Sequence, residues 1–193
     1  MSDQSDPNLR PATLGDVEKI VEFNIGIALE TEDLVLDPGT LNAGCTAILK
    51  DPTKGRYFVA EVDGKVVGQT MVTYEWSDWR NGNVCWIQSV YVARDYRRRG
   101  IFKALYNYVK AEAQASGAIG LRLYAFHSNE KAHATYKAMG METHNIVFEE
   151  FFQLKLVILI FFLEERVERQ HHSNDLFPRL FIGIVKINEK ENY

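Results

Sequence analysis

The 193-residue chain has two cysteines, Cys45 and Cys85, 40 positions apart, which form neither a CxxC pair nor a metal-ligand spacing. Buried or idle thiols in a reducing compartment are the expectation. Broad positive charge is also lacking. The 22 Lys and Arg stand against 26 Asp and Glu, a net charge of −4 that argues against a large nucleic-acid-binding surface. Met1 to Asn8 is polar and acidic, with no basic flank before an apolar core, so no secretory signal is expected and the segment reads as disordered. The longest apolar-rich run, Phe151 to Leu163, is interrupted by Gln153 and Lys155. It falls short of the ~18–20 residues needed to span a bilayer. His127, His133, His144, His171 and His172 have no convergent spacing, so no metal is expected. No internal repeat is visible. The expectation is a cytoplasmic protein with neither a nucleic-acid partner nor a membrane span.

An apolar fraction of 46% and a charged fraction of 25% are those of a globular chain, long enough for one domain with a sizeable core. Leu9 to Ala12 can form a first strand. Thr13 and Asp16 have the form of a helix start, and Val17, Ile20, Val21, Ile25 and Leu29 continue at helical spacing to about Glu30. Pro38-Gly39 is read as a break before a weaker helix over Leu41 to Leu49. Arg56 to Val62, the hairpin signal Asp63-Gly64, Lys65 to Glu75, the turn Asn81-Gly82 and Val84 to Val92 predict an antiparallel meander. Ile101 to about Ala115 is an amphipathic helix ended by Ser116-Gly117, and Gly120 to Phe126 reads as a buried strand. Strand, helix and strand in that order imply a parallel pair. Asn129 to Met139 is a further helix, and Met141 to Glu149 can return as a last strand.

The stretch from Trp86 to Phe102 organises this plan. A β-rich run and a polar turn lead into Arg97-Arg98-Arg99-Gly100-Ile101-Phe102 and the start of a helix. The first helical N–H groups lack partners within the helix, and its dipole adds positive charge where they point. Gly100 permits close backbone approach because it has no Cβ. A local anion is the natural partner of such a cradle. A solvated basic turn is the plainer alternative.

The spacing Arg97-x-x-Gly100-x-Phe102 resembles the acyl-coenzyme A pyrophosphate loop, Q/R-x-x-G-x-G/A, of the GNAT superfamily of N-acetyltransferases. Asn129, Ala132, Tyr136 and Gly140 resemble that family's N-x-x-A-x-x-x-Y-x-x-x-G signature, in the family's order. Asn129 and Tyr136 are seven apart, two turns, and share a helix face. An N-cap asparagine and a half-buried core tyrosine are the plainer alternatives.

The resemblance spans roughly Leu9 to Glu150. It implies a mixed α/β fold with a mostly antiparallel central sheet, helices on both faces and a splayed pair of parallel central strands. It also implies acetyl-coenzyme A as co-substrate and an amine as acceptor; a primary amine of a small molecule is the expected partner. The pantetheine arm would lie between the fourth and fifth strands, bonded by backbone groups near Val90, Tyr91 and Val92. The pyrophosphate would meet Arg97, Arg98, Arg99, Gly100, Ile101 and Phe102. Asn129 and Tyr136 would face the same groove, with Tyr136 as general acid.

Two positions depart from the family pattern. Gln88 stands where many members carry a glutamate base, and an amide can orient water or substrate but cannot take the proton. Glu75 and Asp78 are the acidic alternatives nearest in sequence. Phe102 stands where the family prefers Gly or Ala, so its ring is expected to point into the core beneath the helix. A non-catalytic acyl-coenzyme A binding module and a protein N-acetyltransferase are the competing readings. Residues 151–193 fall outside the resemblance. They read as an appended element, a homodimer contact or a non-native extension.

Overall fold

The computed structural model describes residues 6–144, 146–148 and 150. Residues 1–5 and the extension 151–193 lie outside them. The chain divides into two units, the first of which is Met1–Val147.

Five strands form one sheet in the order β1-β2-β3-β4-β5. β1 (Asn8–Pro11), β2 (Arg56–Val62), β3 (Lys65–Ser77) and β4 (Gly82–Val92) pair antiparallel, and β5 (Gly120–Leu123) adds in parallel to β4. The expected meander and parallel pair are both present. Asp63 and Gly64 both take positive φ, 51° and 73°, the geometry a two-residue hairpin demands. β1 begins at Asn8, one residue inside the segment expected to be disordered.

Strand alternation divides the core in two. Tyr57 and Met71 face α1 (Val17–Thr31) and α2 (Pro38–Lys50), where they pack with Ile20 and Cys45. Phe58, Val72 and Ile87 face α3 (Ile101–Ala115), whose Ile101, Leu105 and Val109 lie one turn apart on the buried stripe. Each such side chain contributes about 1.5–3 kcal/mol by leaving water. Leu105 is fully buried, so Leu105→Ala would cost about 2–5 kcal/mol. A fourth helix, α4 (Glu130–Ala138), follows β5.

Four local expectations are corrected. Pro38 does not break the chain before α2 but occupies its first turn, behind an Asp37 cap whose carboxylate accepts from the Thr40 N–H at 2.7 Å. Proline suits that position because its missing N–H would have had no partner there. Leu29 is exposed rather than part of the buried stripe, whereas Thr13 and Asp16 do form the expected capping pair, on a short 3-10 turn that leads into α1. β5 stops at Leu123, three residues before Phe126. Among the described residues from Met141 to Glu150 there is no strand.

Arg10 ties β1 to that turn. Its guanidinium donates to both Asp16 oxygens (2.8 and 2.9 Å) and to Glu61 (3.1 Å). The Arg10 hydrogen bond is the main cause holding the Asp16 carboxyl below its ordinary value, against the opposing effect of burial.

Candidate active site

β4 pairs with β3 along its length, but with β5 only over Val84–Ile87 against Gly120–Leu123. From Gln88 to Val92, β4 therefore runs on without a β5 neighbour. At this point it bulges. The register steps from Met71↔Gln88 to Gln69↔Tyr91, so Ser89 and Val90 together face the single residue Thr70. Ser89 takes φ 49°, an uncommon conformation for a non-glycine residue and a mark of local constraint.

Side chains of β3 hold the bulge. Thr70 Oγ1 donates to the Gln88 carbonyl (3.4 Å), and Gln69 Nε2 donates to the Ser89 carbonyl (3.3 Å). Gln69 is completely buried, and its Nε2 also donates to Asn24 Oδ1 of α1 at 2.9 Å. Asn24 Nδ2 in turn donates to the Tyr57 hydroxyl (3.0 Å) and towards Cys45 Sγ (3.4 Å). Burial, then the neighbouring Cys45, push the Tyr57 phenol up to about 12, so it stays protonated. A polar relay thus runs from α1 through β2 and β3 to the bulge. The helix can approach closely because Gly26 has no side chain. A Cβ there would lie 3.0 Å from the Tyr91 hydroxyl.

A cavity of about 540 Å³ opens at the splay. Its walls are Gln88, Ser89 and Val90 on one side, Tyr124 to Phe126 on the other, Asn129 and Tyr136 from α4, and the α1–α2 pair beyond. Asn129 caps α4, its Oδ1 accepting from the Ala132 N–H at 3.1 Å, and it lines the cavity as well. Tyr136 is half-buried, and burial raises its phenol above the ordinary value. Gln88 Nε2 donates to Thr73 Oγ1 at 2.8 Å, which fixes the amide's orientation.

The glycine loop lies at the start of α3. Gly100 caps the helix at φ 81°, ψ −2°, and Arg98 also takes positive φ, 64°. Nothing lies within 4 Å of where a Gly100 Cβ would stand, so this glycine is required by conformation alone. Arg97 is committed to the fold. Its Nε donates to the Val92 carbonyl (2.8 Å), its Nη2 pairs with Glu30 (2.8 Å), and its guanidinium sits 5.2 Å over the Tyr91 ring. Glu30 also accepts from Tyr91 (2.9 Å) and Arg94 (3.1 Å). Burial opposes its charge, but bonds from Arg97, Tyr91 and Arg94 outweigh this and lower its proton affinity. Arg99 lies over Tyr96, and Arg98 is exposed. Ile101 is 4% exposed and belongs to the core, so only its backbone can meet a ligand. Phe102 packs against the core cluster, as expected, and also turns its ring towards Tyr136.

The structure thus brings Gln88, Val90, Asn129 and Tyr136 to one cavity. Tyr91, Val92 and the loop 97–102 lie outside its lining, on the continuation of β4 and the start of α3. Glu75 also lies outside. Its carboxylate accepts from Trp86 Nε1 and from Arg122, and the Trp86 bond is the main cause that lowers its proton affinity. Asp78 accepts from the Trp79 N–H at 2.8 Å, likewise away from the cavity. Sequence reasoning passed over Asn24, Tyr57, Gln69 and Ser89. The one available signal was Asn24, a polar residue on the buried face of α1.

Residues 29–141, more than half of the chain, match the Acetyltransferase (GNAT) family model. The chain belongs to the GNAT acetyltransferase family. A solved structure from Clostridium difficile 630, described as a possible acetyltransferase, is 44% identical with a TM-score of 0.71, covering 78% of this chain and 99% of that one. An uncharacterized N-acetyltransferase of Methanocaldococcus jannaschii is 34% identical over 92 residues, 47% of this chain and 41% of its own. The thialysine N-epsilon-acetyltransferase of Bos taurus is 31% identical over 77 residues, 40% of this chain and 45% of its own. The matched segments thus span less than half the length of these two curated relatives. Among the described residues, no helix of this GNAT protein is long and apolar enough to cross a membrane.

Proposed function

We propose that this GNAT protein transfers the acetyl group of acetyl-coenzyme A to the primary amine of a small molecule, by direct attack without an acyl-enzyme. Residues 9–150 are taken as the catalytic domain. The observation that carries the reading is the cavity at the β4–β5 splay, with Gln88 and Val90 on one wall and Tyr136 on the other. The pantetheine arm lies along β4 beyond Ile87, where the backbone has no β5 neighbour, and bonds main-chain groups of Val90, Tyr91 and Val92. The pyrophosphate takes the unpartnered N–H groups at Gly100, Ile101 and Phe102. Arg98 and Arg99 supply positive charge. Arg97 holds the loop to β4 and α1 through Val92 and Glu30.

The chemistry follows from these positions. A neutral amine attacks the thioester carbonyl carbon, and a main-chain N–H at the bulge stabilises the developing negative oxygen. The carbon–sulfur bond breaks, and the Tyr136 hydroxyl gives its proton to the departing thiolate. Gln88 orients the water that carries away the amine's proton. Glu75 is not used, because both of its oxygens are engaged outside the cavity.

The name of the bovine relative, a thialysine N-epsilon-acetyltransferase, supports an amine acceptor. The test is thermal denaturation with millimolar acetyl-coenzyme A, followed by detection of free coenzyme A thiol across an amine panel. A raised melting temperature and amine-dependent thiol release are expected. Absence of any thermal shift would remove the cofactor reading. A shift without transfer to any amine would favour the non-catalytic binding module that Gln88 makes conceivable.

A further inference from the structure

The cavity has two unlike halves. At the splay it is lined by β4 backbone, Gln88, Asn129 and Tyr136, the half assigned above to the thioester. Its other half lies between α1 and α2, walled by Ile27, Leu34, Leu36, Leu41, Ile48 and Met71. Polar residues also line this half: Asn24, Tyr57 and Cys45, which are bonded to one another and to Gln69, Thr31, whose hydroxyl donates to the Ile27 carbonyl at 2.8 Å, and Thr40 and Glu32. Among the described residues that line the cavity, Glu32 alone is charged, and no lysine or arginine is present.

That composition selects by charge. A substrate carboxylate in this half would leave water without a cationic partner, and a second ammonium would have at most Glu32 to meet it. Unpaired burial of the carboxylate is strongly unfavourable, and an exposed Glu32 offsets little of the cost of taking an ammonium out of water. A methylene or aryl body instead gains by leaving water, and that gain is made at every apolar wall position.

We propose that the acceptor is a monoamine borne on an apolar body, an alkylamine or arylalkylamine, and neither an amino acid nor a polyamine. This deepens the acetyl-transfer reading and rests on it. The neutral amine is held near the bulge, with its body between α1 and α2.

The test measures coenzyme A thiol release by the intact chain with acetyl-coenzyme A and four comparisons. The alkyl series from propylamine to hexylamine is expected to gain about threefold in kcat/KM per methylene. Pentylamine should exceed cadaverine, its diamine counterpart, by at least tenfold. 2-Phenylethylamine should exceed L-phenylalanine by a similar factor, and hexylamine should exceed L-lysine and thialysine. A charge placed in the wall provides a second readout. Leu34 is 47% exposed, so Leu34→Glu leaves the core untouched and should narrow the ratio of pentylamine to cadaverine. Equal or better turnover of lysine, thialysine or cadaverine would overturn the proposal while leaving acetyl transfer intact. So would a flat alkyl series, or a ratio unmoved by Leu34→Glu. Absence of transfer to every amine, with acetyl-coenzyme A still raising the melting temperature, would overturn the acetyl-transfer reading itself.

Discussion

The rings of Phe102 and Tyr136 meet edge to face, their centroids 5.8 Å apart at an interplanar angle of 67°. The first turn of α3, which follows the glycine loop, thus packs directly on the phenol that faces the cavity. Phe102 departs from the family's small residue at this position, and here it braces the proposed general acid. Phe102→Ala is expected to lower kcat about tenfold, as misplacement of a catalytic group does. The lost aromatic pair should also cost about 0.5–1.5 kcal/mol of stability. Phe102→Leu restores volume without the edge contact, so recovered stability with low kcat would identify positioning as the cause.

Tyr136→Phe removes the proposed proton donor while keeping the ring. A fall in kcat of about 10²–10⁴-fold is expected, with an unchanged melting temperature, measured by coenzyme A thiol release. The pH profile gives a second check. Burial raises the Tyr136 phenol above its ordinary value, so the acid form persists across the neutral and mildly alkaline range. Loss of kcat from deprotonation of Tyr136 should therefore begin only above about pH 10.

Glu75 separates two accounts of the base. Its oxygens bond Trp86 and Arg122, and the main cause, the Trp86 bond, favours the charged form. Glu75→Gln is expected to retain kcat/KM within about threefold, since proton transfer by a true base is worth at least about 10². A hundredfold loss at unchanged stability would return Glu75 to the mechanism.

Gly100 bears on the loop proposed to hold the cofactor. At φ 81° with open space around it, Gly100→Ala should cost about 1–2 kcal/mol from backbone strain alone. Gly100→Asn should cost less, because asparagine tolerates that region better. Both should raise the KM for acetyl-coenzyme A more than they lower kcat, as read from saturation curves.

Asp16 sets an acid limit on stability. Its folded pKa is depressed, chiefly by the Arg10 bond, so its contribution is complete above the unfolded value. That contribution is lost as pH falls through the lower folded value. Urea midpoints should hold steady near neutrality and drop below about pH 4, the ordinary aspartate value. Asp16→Asn should flatten part of that drop while costing about 1–3 kcal/mol at pH 7.

Much of the scaffold was legible where a local chemical signal ended an element. β2 matches its expected bounds because Asp63-Gly64 closes it, and α3 does because Gly100 opens it and Ser116-Gly117 closes it. At Pro38 the deciding signal is also local, since Asp37 and Thr40 around it spell a helix cap rather than a break. The bulge at Ser89 left no trace, because it depends on how Gln69 and Thr70 of another strand meet β4. The commitment of Arg97 was equally hidden. Its partner Glu30 is far away in sequence, so a basic run that looked free for phosphate is partly spent on the fold. The cavity wall opposite the splay comes from α1, α2 and the loop between them, where nothing local in the sequence marks Ile27, Leu34 or Leu36 as lining a site.

Acetyl transfer is assigned by this proposal to the cavity between β4 and β5. Its most direct test is to quantify free coenzyme A thiol and acetylated amine in the same reaction, using hexylamine and acetyl-coenzyme A. Amide and thiol are expected in equal amounts, with both rates lowered together by Tyr136→Phe. Thiol released without amide, or acetyl-coenzyme A bound with neither product formed, would contradict the proposal.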